Sequence, residues 1–281
     1  MKKSTIVLIL SIMLVVSIYF YSNSNSSIGN IINNLNLKPN IKISPQNNSI
    51  ISTTNNTIKI ANWNLQIFGT DKASNQDLLN SYAEKISDYD IIFIQEIRDN
   101  SNEAFPKLCS MLPDYNCMNS SRAGRSVSKE QYGIIIKEGI KINSFKDYNP
   151  DQEDRWERPP IEVSIGLNSH DLTIFNIHTK PDDVKNELDY LDDLPTDKNT
   201  IIIGDLNADC SYYNNTKEAE FDSWNWVIKD DEDTTVSSTK CAYDRIILTP
   251  NLNFKLIHYG IDNNITKDQS DHYLVWVELQ A

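Results

Sequence analysis

The chain has 281 residues, 40% of them hydrophobic, enough for one large domain with a sizeable core and too apolar for a chain that cannot fold. It carries 39 acidic against 26 basic side chains, a formal charge of −13, so a polyanion meets a repulsive mean field unless divalent cations or a local basic patch intervene. Net charge therefore argues against passive nucleic-acid binding.

In chain order, residues 1–21 give two lysines and an apolar run from Ile6 to Tyr21. That is the layout of a signal peptide or an uncleaved N-terminal membrane anchor, and it predicts a protein that is secreted or held on the outer face of the cell membrane. Residues 22–56 are rich in Asn, Ser and isolated Pro without a period, and are read as a flexible linker. From 57 to 281 the pattern becomes short apolar strands separated by polar loops and a few helical stretches. The strand candidates are "IKIANWN", "DIIFIQE", "YGIIIKE", "IEVSIGL", "LTIFNIH", "NTIIIGDLN", "DRIILTP" and "HYLVWVEL". Helical spacing joins Leu78, Leu79, Tyr82 and Ile86 over 75–87, and Val184, Leu188 and Leu191 over 182–194. The alternation predicts an α/β domain with sheets packed together and helices outside.

Four cysteines, Cys109, Cys117, Cys210 and Cys241, allow three disulfide pairings, and an exported chain permits their oxidation. None forms a C-x-x-C pair, which argues against zinc. The simplest pairing joins neighbours, Cys109 with Cys117 and Cys210 with Cys241.

Several strands end alike. "IKIANWN" ends at Asn64, "DIIFIQE" at Glu96, "LTIFNIH" at His178 and "NTIIIGDLN" at Asp205 and Asn207, while "SDHYLVWVEL" opens with Asp271 and His272. If these ends share one edge, they form a pocket of carboxylates, amides and two imidazoles. Glu96, Asp205 and Asp271 are hard oxygen ligands suited to Mg²⁺, and the histidines exchange protons near neutral pH. Those are the parts needed to break a phosphodiester.

The segments "NWNLQIFG", "DIIFIQEIRD", "RPPIEV", "FNIHTKPDD", "GDLNADCSYY", "TTVSSTKCAYDRI" and "SDHYLVWVEL" together resemble the deoxyribonuclease I family of the endonuclease/exonuclease/phosphatase superfamily. They occur in family order over residues 58–279. The resemblance implies a two-sheet, four-layer α/β/β/α sandwich that cuts double-stranded DNA endonucleolytically as a monomer, using Mg²⁺ or Mn²⁺ together with Ca²⁺, and leaves 5′-phosphate ends. It implies Glu96 as principal metal ligand, with Asn64, Asp205 and Asp271 nearby. His178 with Glu130, and His272 with Asp244, would be the catalytic pairs, and Asn207 would bind the scissile phosphate. Arg98 would enter the minor groove, Arg158 would touch the phosphate backbone, and Tyr212 and Tyr243 would join them on DNA. Cys210 with Cys241 matches the family's larger disulfide, and Asp209 beside it is expected to be structural. Alternate oxygens in "DTTVSSTKC", from Asp233, Thr235, Ser237 and Thr239, match a structural Ca²⁺ site.

Two departures are visible. The family's sugar-stacking tyrosine two residues before the catalytic glutamate is Ser128, which implies altered DNA affinity or sequence preference. "NPDQEDRWERPP" keeps Asp154 but has Pro159 where an acidic calcium ligand is expected, so a second calcium site is not expected. Two other readings are a phosphodiesterase acting on phospholipid head groups, such as a sphingomyelinase, and a catalytically silent adhesion or metal-binding domain. The first would call for an exposed hydrophobic hairpin, which the sequence lacks; the second would call for loss of a catalytic histidine or Glu96, and all are present.

Overall fold

The Ile- and Val-rich runs form strands because β-branched side chains pack well on a pleated, buried surface. The computed structural model describes residues 57–196, 199–214 and 216–281, and arranges the strands in two six-stranded sheets. The first sheet has the order β11 (Lys255–Asp262), β12 (Leu274–Gln280), β1 (Thr57–Phe68), β2 (Ile91–Ile97), β4 (Gln131–Lys137) and β3 (Tyr115–Asn119). The second has the order β5 (Lys141–Asp147), β6 (Ile161–Leu167), β7 (His170–Asn176), β8 (Thr200–Asp205), β10 (Asp244–Leu248) and β9 (Asn225–Trp226). All eight runs expected from the sequence are strands. The four strands without an apolar signature, β3, β5, β9 and β11, are the outer strands of the two sheets. An outer strand has one flank in water and tolerates polar residues, as "KINSFKD" in β5 illustrates.

The sheets face each other across an aliphatic core. Ile60, Phe93 and Ile134 meet Val163, Ile174, Ile203 and Ile246 there, all fully buried. On the outer side of the first sheet lie α1 (Thr70–Ser74), α2 (Gln76–Ile86) and α3 (Ala104–Cys109). Helix α2 starts where the Asn75 side chain accepts from the Leu78 N–H, and it buries Leu79, Tyr82 and Ile86 against Trp63 and Phe68. On the outer side of the second sheet, α4 (Val184–Asp192) buries Val184, Leu188 and Leu191 against Trp156, Phe175 and Ile202. The result is the four-layer α/β/β/α sandwich.

Both expected disulfides are present, Cys109–Cys117 and Cys210–Cys241. The second fastens the loop after β8 to the loop before β10, and beside it the Asp209 carboxylate accepts from the Ala242 N–H at 2.7 Å. Closing a loop of this length contributes about 3.5 kcal/mol by restricting the unfolded chain. The expected signal or anchor at 1–21 and the linker at 22–56 lie outside the described residues. Among the described residues no helix is long and apolar enough to cross a membrane.

Candidate active site

Strand direction brings the polar ends together. β1 and β2 run parallel with Asn64 opposite Gln95, so Asn64 and Glu96 finish at one edge. β7 and β8 are also parallel, which puts His178 and Asp205 at matching ends. β4, β10 and β12 run antiparallel to β2, β8 and β1, so their beginnings arrive at that same edge with Glu130, Asp244 and His272. Asp244 and Asp205 are directly paired across the ladder.

At the centre stands Asp205. Its Oδ2 lies 3.3 Å from His178 Nε2 and 3.5 Å from His272 Nε2, and accepts from Asn64 Nδ2 at 3.1 Å. Each imidazole is backed by a carboxylate on its other nitrogen. His178 Nδ1 is 3.0 Å from Glu130 Oε2, and His272 Nδ1 is 2.7 Å from Asp244 Oδ2. Asn64 Nδ2 also reaches Glu96 Oε1 at 3.2 Å, and Gln66 Nε2 holds Asp271 Oδ2 at 2.9 Å. Asn207 turns its amide to the Thr179 carbonyl at 3.1 Å. Every residue of the expected catalytic and metal-ligand sets therefore lies in one hydrogen-bonded cluster. Gln66, Ile67, Glu96 and Asn207 all have left-handed backbone, with φ of 44°, 54°, 59° and 48°. For non-glycine residues that costs about 1–3 kcal/mol each and characteristically gathers at working sites.

Three buried amides that the sequence reading did not single out support this cluster from between the sheets. Gln95 Oε1 accepts from Asn62 Nδ2 and from the Asp205 N–H, while its Nε2 donates to the Ile177 carbonyl. Asn176 Nδ2 donates to Asn62 Oδ1 and to the Ile203 carbonyl. Gln95 thus ties Glu96, its neighbour, to the residue before His178 and to Asp205. The available clue was amides inside runs otherwise buried and apolar, "IANWN", "IFIQE" and "IFNIH".

The close approach needed there falls on Gly204. A Cβ at that position would sit 2.0 Å from the Ile177 carbonyl oxygen and 2.8 Å from Gln95 Nε2. Gly204→Ala is expected to push β8 off the β7 end, destabilising the domain by about 3 kcal/mol or more, roughly 10 °C in Tm. Calorimetric melting of the variant beside wild type checks this, and an unchanged Tm would refute the close packing.

Electrostatics follow from the burial of so many charges. Burial would raise the Glu130 carboxyl, but His178, then Arg158 and Arg98, outweigh it and hold the group from 4.5 down to about 2. Burial raises Asp205 too, yet the two histidines and Asn64 leave it lowered. Asp244 is held up by burial, to about 6, while Asp244, Asp205 and Asp271 overcome the burial of His272 and raise it to about 10. The Glu130 shift has a sign that stability must follow. Its folded value is depressed, so its contribution of about 3 kcal/mol is complete above pH 4.5 and is lost as pH falls towards 2. In urea titrations across that window, the stability gap between wild type and Glu130→Gln is expected to shrink; a constant gap would show that the ion-pair network does not hold Glu130.

The donor set fits a divalent cation. Asp271 Oδ1 accepts no hydrogen bond, and its charged neighbour His272 Nε2 lies 3.8 Å away, beyond hydrogen-bond reach, so lone pairs remain for a cation. Among the described residues two clusters of carboxylate and imidazole could hold an ion, Glu96 with Glu130 and His178, and Asp205 with Asp244 and His272. In the expected calcium loop, Thr235 Oγ1 lies 2.9 Å from Asp233 Oδ1, 3.3 Å from Ser237 Oγ and 2.6 Å from the Thr239 carbonyl. Thr239 joins this oxygen cluster through its main chain. Asp154 pairs with Arg125, whose Nε is 3.0 Å from its Oδ1.

The expected DNA-contacting residues divide by exposure. Arg98 lies at the rim, with Nη2 3.1 Å from Glu96 Oε2 and 2.9 Å from Glu130 Oε1, and Nη1 donating to Ser128 Oγ. Arg158 is turned inward, with its Nε and Nη2 on the His178 and Thr179 carbonyls and its Nη1 near Glu130. Tyr212 is exposed and packs on Tyr243 with ring centroids 5.4 Å apart.

Comparison with known proteins gives the same neighbourhood. The Endonuclease/Exonuclease/phosphatase family model matches residues 61–272. Deoxyribonuclease gamma of Mus musculus is 32% identical over 264 residues, covering 80% of this chain and 85% of that protein. Deoxyribonuclease-1 of Gallus gallus is 31% identical over 263 residues, covering 80% and 93%. Among solved structures, an endonuclease/exonuclease/phosphatase family protein from Leptotrichia buccalis superposes with a TM-score of 0.61 at 18% identity, covering 80% of this chain and all of that one. A mannosyl-6-phosphatase of Bacteroides thetaiotaomicron reaches 0.59 at 19% identity, covering 79% and 99%. At those identities the structures share the fold.

Proposed function

This chain belongs to the endonuclease/exonuclease/phosphatase family, within its deoxyribonuclease I group, and on that premise we propose that it is a divalent-metal-dependent DNA endonuclease acting outside the cytoplasm as a monomer. The observation that carries this reading is the pair of imidazoles, each braced by its own carboxylate, whose Nε2 atoms converge on Asp205 within 3.3 and 3.5 Å. Hydrolysis of a phosphodiester needs one proton taken from water and one given to the leaving oxygen, and two oriented histidines meet that need. Glu130 and Asp244 fix each ring through Nδ1, which leaves Nε2 free to exchange the proton. One histidine takes the proton from water and the other delivers one to the 3′ oxygen, leaving a 5′-phosphate. Asn207 binds the phosphate oxygens.

Glu96, Asn64, Asp205 and Asp271 would hold Mg²⁺ or Mn²⁺, which when bound neutralises the charge developing on the phosphoryl oxygens. Asp233, Thr235, Ser237 and the Thr239 carbonyl would hold a structural Ca²⁺. Arg98, Tyr212 and Tyr243 contact DNA from the rim, while Arg158 acts mainly by bracing Glu130 and the His178 turn. Two disulfides suit an oxidising, extracellular setting, with the N-terminal segment as export signal or anchor. Among the described residues the exposed large apolar side chains, Ile67, Val127, Phe145, Tyr212 and Tyr259, lie on separate segments, which does not favour a membrane-docking hairpin for phospholipid head groups. The chemistry is tested on the product ends. Nicked plasmid should be resealed by DNA ligase without prior kinase treatment, and ends that need 5′-phosphorylation first would contradict the assigned bond cleavage.

A further inference from the structure

Ile67 stands at the rim of the site against two forces that shape the rest of the domain. It is β-branched yet has φ of 54°, a left-handed conformation that such side chains strongly disfavour. It is also 56% exposed, while its neighbours Leu65 and Phe68 on the same strand are fully buried. Its N–H donates to Glu96 Oε2 at 2.9 Å, which explains the backbone conformation. The side chain is not explained by that bond, because Asn or Gly would offer the same N–H with less strain and no exposed aliphatic surface. The surroundings add direction. Arg98 Nη2 lies 3.1 Å from that same Glu96 oxygen, Arg98 Nη1 reaches Ser128, and Val127 next to Ser128 is fully exposed. Arg98 thus joins the Glu96 carboxylate that Ile67 donates to and the segment that carries Val127.

We infer that Ile67 is a substrate-contacting residue whose aliphatic side chain packs on the sugar and base-edge face of a DNA groove beside the scissile phosphate. The inference rests on the endonuclease reading above. A protein of charge −13, whose rim arginine already pairs with Glu96 and Glu130, has little electrostatic attraction to offer a duplex. Apolar contact with the groove supplies affinity that salt does not screen, as wedge residues do in minor-groove binders generally.

The test measures nicking kinetics and melting for the full chain with Ile67→Asn and Ile67→Leu. Ile67→Asn is expected to raise KM for duplex DNA about tenfold, the size of a lost aliphatic contact, with kcat within about twofold and Tm unchanged or a few degrees higher. The rise should be the same at low and high salt, whereas Arg98→Ala should lower the salt slope by about one. Ile67→Leu should restore most of the lost affinity. A wild-type KM in Ile67→Asn overturns the inference, and so does a lower Tm with reduced kcat in both variants, which would make Ile67 a support for Glu96. Wild type inert on DNA would instead overturn the endonuclease reading itself.

Discussion

His272→Asn is expected to lower the rate of plasmid nicking about 10³-fold while leaving the fold intact. Asparagine suits the position because its amide can still donate to Asp244, as Nδ1 of His272 does at 2.7 Å. Alanine would leave Asp244, fully buried, without that hydrogen-bond donor as well as without the imidazolium charge, and would confuse lost chemistry with lost stability. What asparagine cannot supply is a second nitrogen that exchanges a proton at the place where Nε2 faces Asp205. His178→Asn is expected to fall by a similar factor, because both proton transfers belong to one turnover. The double variant should be little slower than either single one, since residues that act as a unit are not additive. Initial rates on supercoiled plasmid, with melting curves as control, check the set. Activity within tenfold of wild type in His272→Asn would remove this histidine from the reaction.

Stripping divalent ions should have an equal or larger effect. Asp205 and Asp244 are buried, Glu96 and Asp271 stand beside them, and four carboxylates repel an approaching phosphate more than Arg98 and His272 alone offset. Excess EDTA is expected to reduce nicking by about 10⁴-fold, to background, with recovery when Mg²⁺ is restored. Glu96→Gln separates this from a general loss of fold. It removes half of a carboxylate that also holds the Ile67 N–H, and should raise the Mg²⁺ concentration for half-maximal activity about tenfold or more. Titrating Mg²⁺ against nicking rate measures it. An unchanged Mg²⁺ requirement in that variant would move the ion away from Glu96.

The sequence carried the inner strands plainly and the outer ones poorly, for one physical reason. β2 and β8 are buried along nearly their whole length, so each carries a continuous apolar run, whereas β5 and β11 face water and look like loops. The site was legible as strand ends because the chain leaves the core there in Asn64, Glu96, His178 and Asp205. That these ends share an edge depended on strand directions, which no local pattern encodes. Glu130 stands one residue before β4 at the end of a polar loop, and only the family resemblance points to it. The amides Asn62, Gln95 and Asn176 sit inside otherwise apolar runs, where no local pattern marks them, although they fix the spacing of the catalytic groups across the sheets. The inward turn of Arg158 was not foreseeable either, because its partners include the carbonyls of His178 and Thr179, contacts made by the fold alone.

The most direct measurement incubates the full chain and its His272→Asn variant with supercoiled plasmid and, separately, with sphingomyelin vesicles, each with Mg²⁺ and Ca²⁺ and again with EDTA. Nicking of plasmid by wild type alone, abolished by EDTA, with no lipid turnover, is the result expected here. Intact plasmid beside hydrolysed sphingomyelin, or equal nicking by the two proteins, would contradict a DNA-cutting centre built on the paired histidines.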